Sequence, residues 1–339
     1  MSKKILVIYT GGTIGMQASD SGYVAVPGFE QLLRNRLDNS HHALLPEFEV
    51  LEYEQLIDSA NLRPDNWRQI ASSISDNYAR YDGFIVLHGT DTMAFTASAL
   101  SFMLQGLGKP VILTGSQIPL SQLRNDALDN MITALLLAGE SRPVNEVCVY
   151  FNGRLLRGNR ASKVKATGLD AFDSPNFPWL GQVGIHIELH RQLLIQPAAE
   201  KFQIPEFDPA AVAILQIYPG MPATTAAAII NQPGVRAVII QSYGVGNLPD
   251  ADAELIAVLR EAAAGGIQLL NLSRCLQAQV SQGAYACSAV LNEIGVISGG
   301  DMTLEAAFAK LHLLLATESD PQAMREQLQR SLAGEISLD

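Results

Sequence analysis

Four short segments of the 339-residue chain hold residue types and spacings that can do chemistry. The first is Thr10-Gly11-Gly12-Thr13-Ile14-Gly15. Paired glycines let a backbone approach a ligand closely and take positive φ. A plain Gly-rich turn accounts for the segment as well. A phosphate loop fits badly, because neither G-x-G-x-x-G nor G-x-x-x-x-G-K-[ST] occurs. The second segment is His88-Gly89-Thr90-Asp91-Thr92. Its polar residues directly precede an apolar helical pattern, so Thr90 or Asp91 can cap that helix. The same geometry offers free N–H groups to an anionic ligand, and a threonine hydroxyl there can orient a water. The third, Thr114-Gly115-Ser116-Gln117, reads equally well as a turn. The fourth is the charge run from Arg157 to Lys165, RGNRASKVK, and such runs are ordinarily solvated faces.

The elements around these segments put each at the end of a strand. Residues 4–9 (KILVIY) form a nearly unbroken apolar run, as a strand buried on both faces should. Residues 84–88, 111–115 and 147–151 have the same character. Trp67, Ile70, Ile74 and Tyr78 recur at helical spacing, and 93–105 and 126–138 also predict helices. This alternation predicts a mainly parallel sheet with helices on its faces. Ligands of such sheets bind outside the carboxyl ends of the strands. Residues 191–210 have three prolines and little periodicity, and predict a linker. Strands at 211–218, 237–243 and 267–273, with helices at 252–263 and 303–316, then resume the alternation. The expected organisation is an α/β catalytic domain over 1–190, the linker, and a smaller α/β domain over 211–339.

Composition narrows the function classes. The chain is 48% hydrophobic and 17% charged, as an ordinary globular protein is. Its net charge of −11 repels phosphate backbones and anionic membranes, so nucleic acid is not an expected partner. No run of about 18 apolar residues suggests a membrane span. Two lysines and only five apolar residues precede the first turn, too few for a signal peptide. Three cysteines, Cys148, Cys275 and Cys287, make no disulfide framework, which suits a reducing cytoplasm. His186 and His190 stand four apart, but Ile187 occupies the place where a zinc H-E-x-x-H site needs Glu. No metal and no organic cofactor are expected, and no G-x-S-x-G elbow occurs.

Taken together, TGGTIG at 10–15, YDGFIVLHGTDTM at 81–93, KPVILTGSQIP at 109–119 and RGNRASKVKATGLDAFDSPN at 157–176 resemble the bacterial-type L-asparaginase family. The likeness is to its type I, cytoplasmic branch. It extends to SYGVGN at 242–247 and GGDMTLEA at 299–306. The resemblance implies an amidohydrolase that converts L-asparagine to L-aspartate and ammonia. Thr13 matches the family's nucleophile, and an acyl-enzyme is implied. Tyr23 matches the tyrosine on the mobile loop 15–28. Thr90, Asp91 and Lys163 match a second catalytic group, in which Asp91 holds Lys163 and Thr90 orients the water. Gly12, Asp58, Ser59, Gly89 and Ser116 match substrate-binding positions. Backbone N–H groups near Gly89 and Thr90 are placed to stabilise an oxyanion.

The resemblance also implies a homotetramer built from two intimate dimers. Asn247 and Tyr285 are its candidates for reaching a neighbour's site. Gln241, Asn271, Ser273 and Cys275 fall on a segment resembling an allosteric asparagine site of some type I members. The position before SYGVGN is often Arg in the family and is Gln241 here. Losing an Arg removes a bidentate carboxylate partner, so weak or absent activation is expected.

Three rivals stand beside this reading. Glutamine is one methylene longer than asparagine, and such discrimination is worth about 1–3 kcal/mol, so minor glutaminase activity is compatible. The tRNA-dependent amidotransferase subunit of this fold carries a further N-terminal domain, whereas this chain starts at its catalytic strand. A non-catalytic amino-acid sensor would have no need of Thr13, Thr90, Asp91 and Lys163 together.

Overall fold

The computed structural model describes residues 3–20, 22–37, 44–196, 198–282 and 286–337. The chain forms two compact units, residues 1–204 and 205–339.

The first unit begins with β1 (Lys4–Gly11), then a hairpin of β2 (Met16–Ser19) and β3 (Gly22–Ala25), then α1 (Phe29–Arg36) and β4 (Glu47–Ile57). Next come α2 (Pro64–Asn77), β5 (Gly83–Leu87), α3 (Met93–Met103), β6 (Leu104–Gln105) and β7 (Val111–Thr114). Then follow α4 (Ala127–Ala138), β8 (Val147–Phe151), β9 (Arg154–Arg157), β10 (Ser162–Lys163) and β11 (Phe172–Asp173). The last are β12 (Gly181–Val183), β13 (Ile187–Leu189) and β14 (Lys201–Phe202).

Eight of these strands make one sheet, ordered β13-β12-β9-β8-β7-β5-β1-β4. The five strands from β8 to β4 are parallel, and β9, β12 and β13 extend the sheet antiparallel. The expected α/β class is therefore what the chain adopts. Both faces of the central strands are buried, which explains their unbroken apolar character. Ile5, Val7, Tyr9, Ile85, Leu87 and Ile112 pack beneath residues of α1 and α4. Leu6, Ile8, Phe84 and Val86 are equally buried, and Tyr78 at the end of α2 stacks on Phe84. Helix α3 is buried nearly all round, from Met93 to Met103, so it is fixed inside the unit.

Three features depart from the sequence expectation. β4 was not anticipated: its alternating charges (EFEVLEYEQLI) mark an edge strand with one wet face, not a buried run. The loop expected at 15–28 holds a two-stranded hairpin. Leu104 and Gln105 leave the predicted helix and pair with Phe202 and Lys201, so part of the expected linker is built into the first unit. Two-residue strands are too short to carry a periodic signal.

The second unit is a four-stranded parallel sheet, β15 (Val212–Gln216), β16 (Ala237–Ser242), β17 (Gln268–Ser273) and β18 (Ile297–Ser298), in that order. Helices α5 (Ala223–Ile230), α6 (Ala253–Ala264) and α7 (Ala286–Ile294) contribute to the core on one face. Helices α8 (Leu304–Thr317) and α9 (Pro321–Gln329) cover the other. Asp252, Thr303 and Asp320 accept backbone N–H bonds at the starts of α6, α8 and α9.

A buried ion pair closes this unit. Lys310 Nζ lies 2.6 Å from Glu335 Oε1, and both side chains are 0% exposed. The ammonium also donates to the Leu328 and Arg330 carbonyls, and the carboxylate accepts from the Leu332 and Ala333 amides. Removing one partner strands a buried charge, whereas removing both is far cheaper. Lys310→Met is expected to cost roughly 3–5 kcal/mol. The double variant with Glu335→Leu should recover most of it, as read from the denaturant midpoint of the purified chain.

Candidate active site

The chain leaves β1 toward β4 on one side and leaves β5 toward β7 on the other. The carboxyl ends of β1 and β5 therefore flank a topological switch point, where open α/β sheets bind their ligands. The first two segments singled out by chemistry, 10–15 and 88–92, lie there. Thr10 Oγ1 donates to the Leu87 carbonyl at 2.8 Å and ties the two strand ends together.

Glycines bring the turns into backbone contact. Gly12 has φ +88°, and a Cβ on it would stand 2.6 Å from the Gly89 α-carbon. Only glycine fits both constraints. A Cβ on Gly89 would meet the Ser59 Cβ at 2.6 Å, and one on Gly11 would meet the Ile57 carbonyl oxygen at 2.5 Å. A Cβ on Gly115 would collide with the His88 carbonyl. The loops after β1, β4, β5 and β7 are thus pressed together, with a glycine on at least one side of each contact.

Thr13 follows Gly12 directly and opens a short 3₁₀ turn, Thr13–Gly15. It is half-buried. Leu120 donates to the Ile14 carbonyl at 3.0 Å, which fastens this turn to the loop after β7.

Lys163 comes from β10. Its Nζ donates to Thr90 Oγ1 at 2.8 Å and to Asp91 Oδ1 at 2.7 Å. Asp91 is 61% exposed and Lys163 20%. A pair with one half so exposed adds little stability. Its consequence is positional: a cation and two oxygens are held on one side of the crevice. The charge run that delivers Lys163 is not a solvated face. Arg157, Asn159, Arg160 and Ser162 are all buried. Arg157 pairs with Glu146 at 2.6 Å and lies over the Phe177 ring. Sequence patterning alone did not reveal that buried partner.

His88 organises the turn from behind. It is fully buried, and burial pushes its pKa down to about 4. Nδ1 donates to the Gly89 carbonyl at 2.7 Å, which leaves Nε2 to accept from the Thr96 hydroxyl at 2.9 Å. The neutral ring thus locks the turn onto α3. Thr92 adds a bond from its hydroxyl to the Ser59 carbonyl at 2.8 Å.

The remaining expected residues fall as follows. Ser59 is buried against Gly89. Asp58 is exposed, and its carboxylate caps its own turn by accepting from Ala60 N and Asn61 Nδ2. Ser116 is buried, and its hydroxyl has no partner among the described residues. Tyr23 lies on β3 of the hairpin and is half exposed. Gln117 and His88 carry contacts that sequence reasoning did not assign, although both stand inside quoted motifs.

In the second unit, Gln241, Asn271 and Ser273 end β16 and β17. Asn271 donates to the Gly246 carbonyl, and Ser273 to that of Gly244. Cys275 is exposed and its amide donates to Ser273. Asn247 bridges Tyr243, and its Oδ1 is buried with no partner among the described residues. Tyr285 lies outside the described residues. Among the described residues no group of three His, Cys, Asp or Glu is arranged to hold a metal.

Residues 4–194 match the family described as Asparaginase, N-terminal, and 211–328 match the Glutaminase/Asparaginase C-terminal domain. The chain is 46% identical over 340 residues to L-asparaginase 1 of Escherichia coli K12, covering 99% of both chains. It superposes on L-asparaginase I of Vibrio cholerae with a TM-score of 0.91 at 43% identity, covering all of both chains. The thermostable L-asparaginase of Thermococcus kodakarensis matches with a TM-score of 0.89 at 31% identity, over 99% of this chain and all of that one.

The buried neutral His88 makes stability depend on pH. Unfolded, it binds a proton near pH 6.5; folded, only near pH 4. Its contribution is therefore complete above about pH 6.5, falls on acidification through that window, and is flat below about pH 4. It amounts to about 3–4 kcal/mol at about 1.4 kcal/mol per pH unit. His88→Gln should shrink the drop in denaturant midpoint between neutral and acid pH, measured against the unsubstituted chain. An undiminished drop would overturn this assignment.

Proposed function

The chain belongs to the bacterial-type L-asparaginase family, in its type I branch, and from that membership we propose how its site works. The protein is an amidohydrolase that converts L-asparagine to L-aspartate and ammonia. One observation supports the catalytic assignment above the others: Lys163 bridges Thr90 and Asp91 in the crevice into which Gly12 delivers Thr13.

In this reading Thr13 Oγ1 attacks the side-chain amide carbon. A threonine hydroxyl needs a neighbour to take its proton, and Tyr23 and the Thr90–Lys163 arm are the two candidates. Backbone N–H groups of the 88–90 turn stabilise the oxyanion. The tetrahedral adduct expels ammonia and leaves a β-aspartyl ester on Thr13. Water held by Thr90 then attacks that ester, and aspartate leaves.

The substrate's charged groups need partners as well. The exposed carboxylates of Asp91 and Asp58 suit the α-ammonium. Ser59 and the backbone N–H groups around it suit the α-carboxylate, and Ser116 borders the amide. Tyr23, on its exposed hairpin, closes over bound substrate. Glutamine is a slower, longer rival.

We place the protein in the cytoplasm as a homotetramer of two intimate dimers. Asn247, whose buried Oδ1 has no partner among the described residues, and Tyr285 are the residues proposed to reach a neighbour's site. Activation by a second asparagine is weak or absent. Gln241 stands where an Arg would grip a carboxylate. Arg274 is the nearby cation that could substitute; its Nη1 donates to the Ile217 carbonyl at 3.2 Å.

Two measurements check this reading. Purified protein should release ammonia from asparagine faster than from glutamine, and Thr13→Ala should abolish the release. Asparagine saturation should be hyperbolic; a clearly sigmoidal curve would restore the allosteric site.

A further inference from the structure

We infer that Gln117 is a positioning residue that fixes Thr90 as a hydrogen-bond acceptor, and so sets which way the hydrolytic water faces. The inference rests on the hydrolase reading above.

Gln117 sits where three segments meet. Its Nε2 donates to the Ala166 carbonyl at 2.9 Å and to the Gly168 carbonyl at 3.1 Å. Two carbonyls can be met only by the NH2 end of the amide, so the orientation of the group is determined. Oε1 therefore faces Thr90, whose hydroxyl donates to it at 3.3 Å. The backbone is held as firmly. Gln117 N donates to Asp126 Oδ2 and Ile118 N to Asp126 Oδ1, both at 2.9 Å, just ahead of α4.

The consequence follows from counting donors and acceptors. A threonine hydroxyl has one hydrogen and two acceptor sites. An ammonium only donates, so Lys163 occupies one acceptor site of Thr90. Gln117 takes the only hydrogen. One acceptor site remains. A water bound there must donate to Thr90, and its own lone pairs then face outward, toward the ester carbon. Attack forms the new C–O bond from a water lone pair and breaks the bond from that carbon to Thr13 Oγ1. One water proton ends on Thr13 and the other on the product acid, which ionises. Without Gln117 the Thr90 hydrogen is free to turn toward the water, which then spends one lone pair accepting it and is no longer held with both lone pairs outward.

Gln117 also holds the stretch 166–168, which follows Lys163 by three residues. A purely structural role would act through that stretch alone. The two roles are separable, because only the first discriminates between water and another nucleophile. Hydroxylamine is a far stronger nucleophile than water toward an ester, so its attack depends less on orientation by Thr90.

The test uses the full chain, unsubstituted and as Gln117→Met and Gln117→Asn. Methionine keeps the length without the amide. Asparagine keeps the amide but is one methylene too short to span Thr90 and the two carbonyls. Asparagine turnover is measured with and without hydroxylamine, and the ratio of hydroxamate to aspartate is read. Both variants are expected to lose at least tenfold in kcat with KM changed less than threefold, and to raise that ratio severalfold. If one variant fails to fold, by its thermal transition, the other carries the test. Unchanged kcat and ratio overturn the inference. So does a loss of kcat with an unchanged ratio, which would mark Gln117 as scaffold only. If the unsubstituted chain releases no ammonia from asparagine, the hydrolase reading falls and this inference with it. Normal turnover with unaffected variants sinks the inference alone.

Discussion

Gly12 rests with its α-carbon against the backbone of Gly89, and the chemistry of the first unit depends on that contact. Thr13 is the next residue after one glycine, and Thr90 the next after the other. Backbone contact between the turns therefore sets how near the two hydroxyls stand. A side chain at Gly12 would wedge the two turns apart, and one at Gly89 would collide with Ser59 in the loop after β4. The same device recurs at Gly11 against Ile57 and at Gly115 against His88. Glycine costs conformational entropy at each place, and what is gained is a crevice with four closely fitted walls.

Those walls are stiff because of what lies behind them. β1 and β5 are buried on both faces, and α3 is buried nearly all round. The His88 ring ties the turn to α3, and the Asp126 carboxylate ties the Gln117 backbone to the start of α4. Lys163 arrives on a segment whose arginines are both buried, Arg157 paired with Glu146 and Arg160 lying over the Phe177 ring. Catalytic groups held on packed elements keep their geometry without reorganising during reaction. The hairpin carrying Tyr23 is the contrast, since its side chains are mostly exposed. That difference suits a rigid site with a separate cover.

Polarity within the site is set by the same economy. Each hydroxyl and amide in the chain from Lys163 through Thr90 to Gln117 has its hydrogens assigned by partners that can act in one sense only. An ammonium cannot accept, and a backbone carbonyl cannot donate. Direction therefore propagates from the two fixed ends to the threonine between them.

Much of this protein is legible before any folding is considered. Strands buried on both faces leave unbroken apolar runs, so β1, β5, β7 and β8 can be read directly, and α2 shows its helical period in Trp67, Ile70, Ile74 and Tyr78. The chemistry-bearing turns are legible because glycine and polar residues interrupt those runs at the strand ends. Three things were decided only in three dimensions. The edge strand β4 has one wet face, so it lacks the unbroken apolar run by which its neighbours are read. The run from Arg157 to Lys163 looks solvated until Glu146 and Phe177 are brought to it from elsewhere in the chain. Gln117 is an ordinary turn residue in sequence. Its partners lie 27, 49 and 51 residues away, and only the packing of the loops brings them within hydrogen-bond reach. Local pattern records which face of an element is dry; the identity of a distant partner is written nowhere in the segment it will meet.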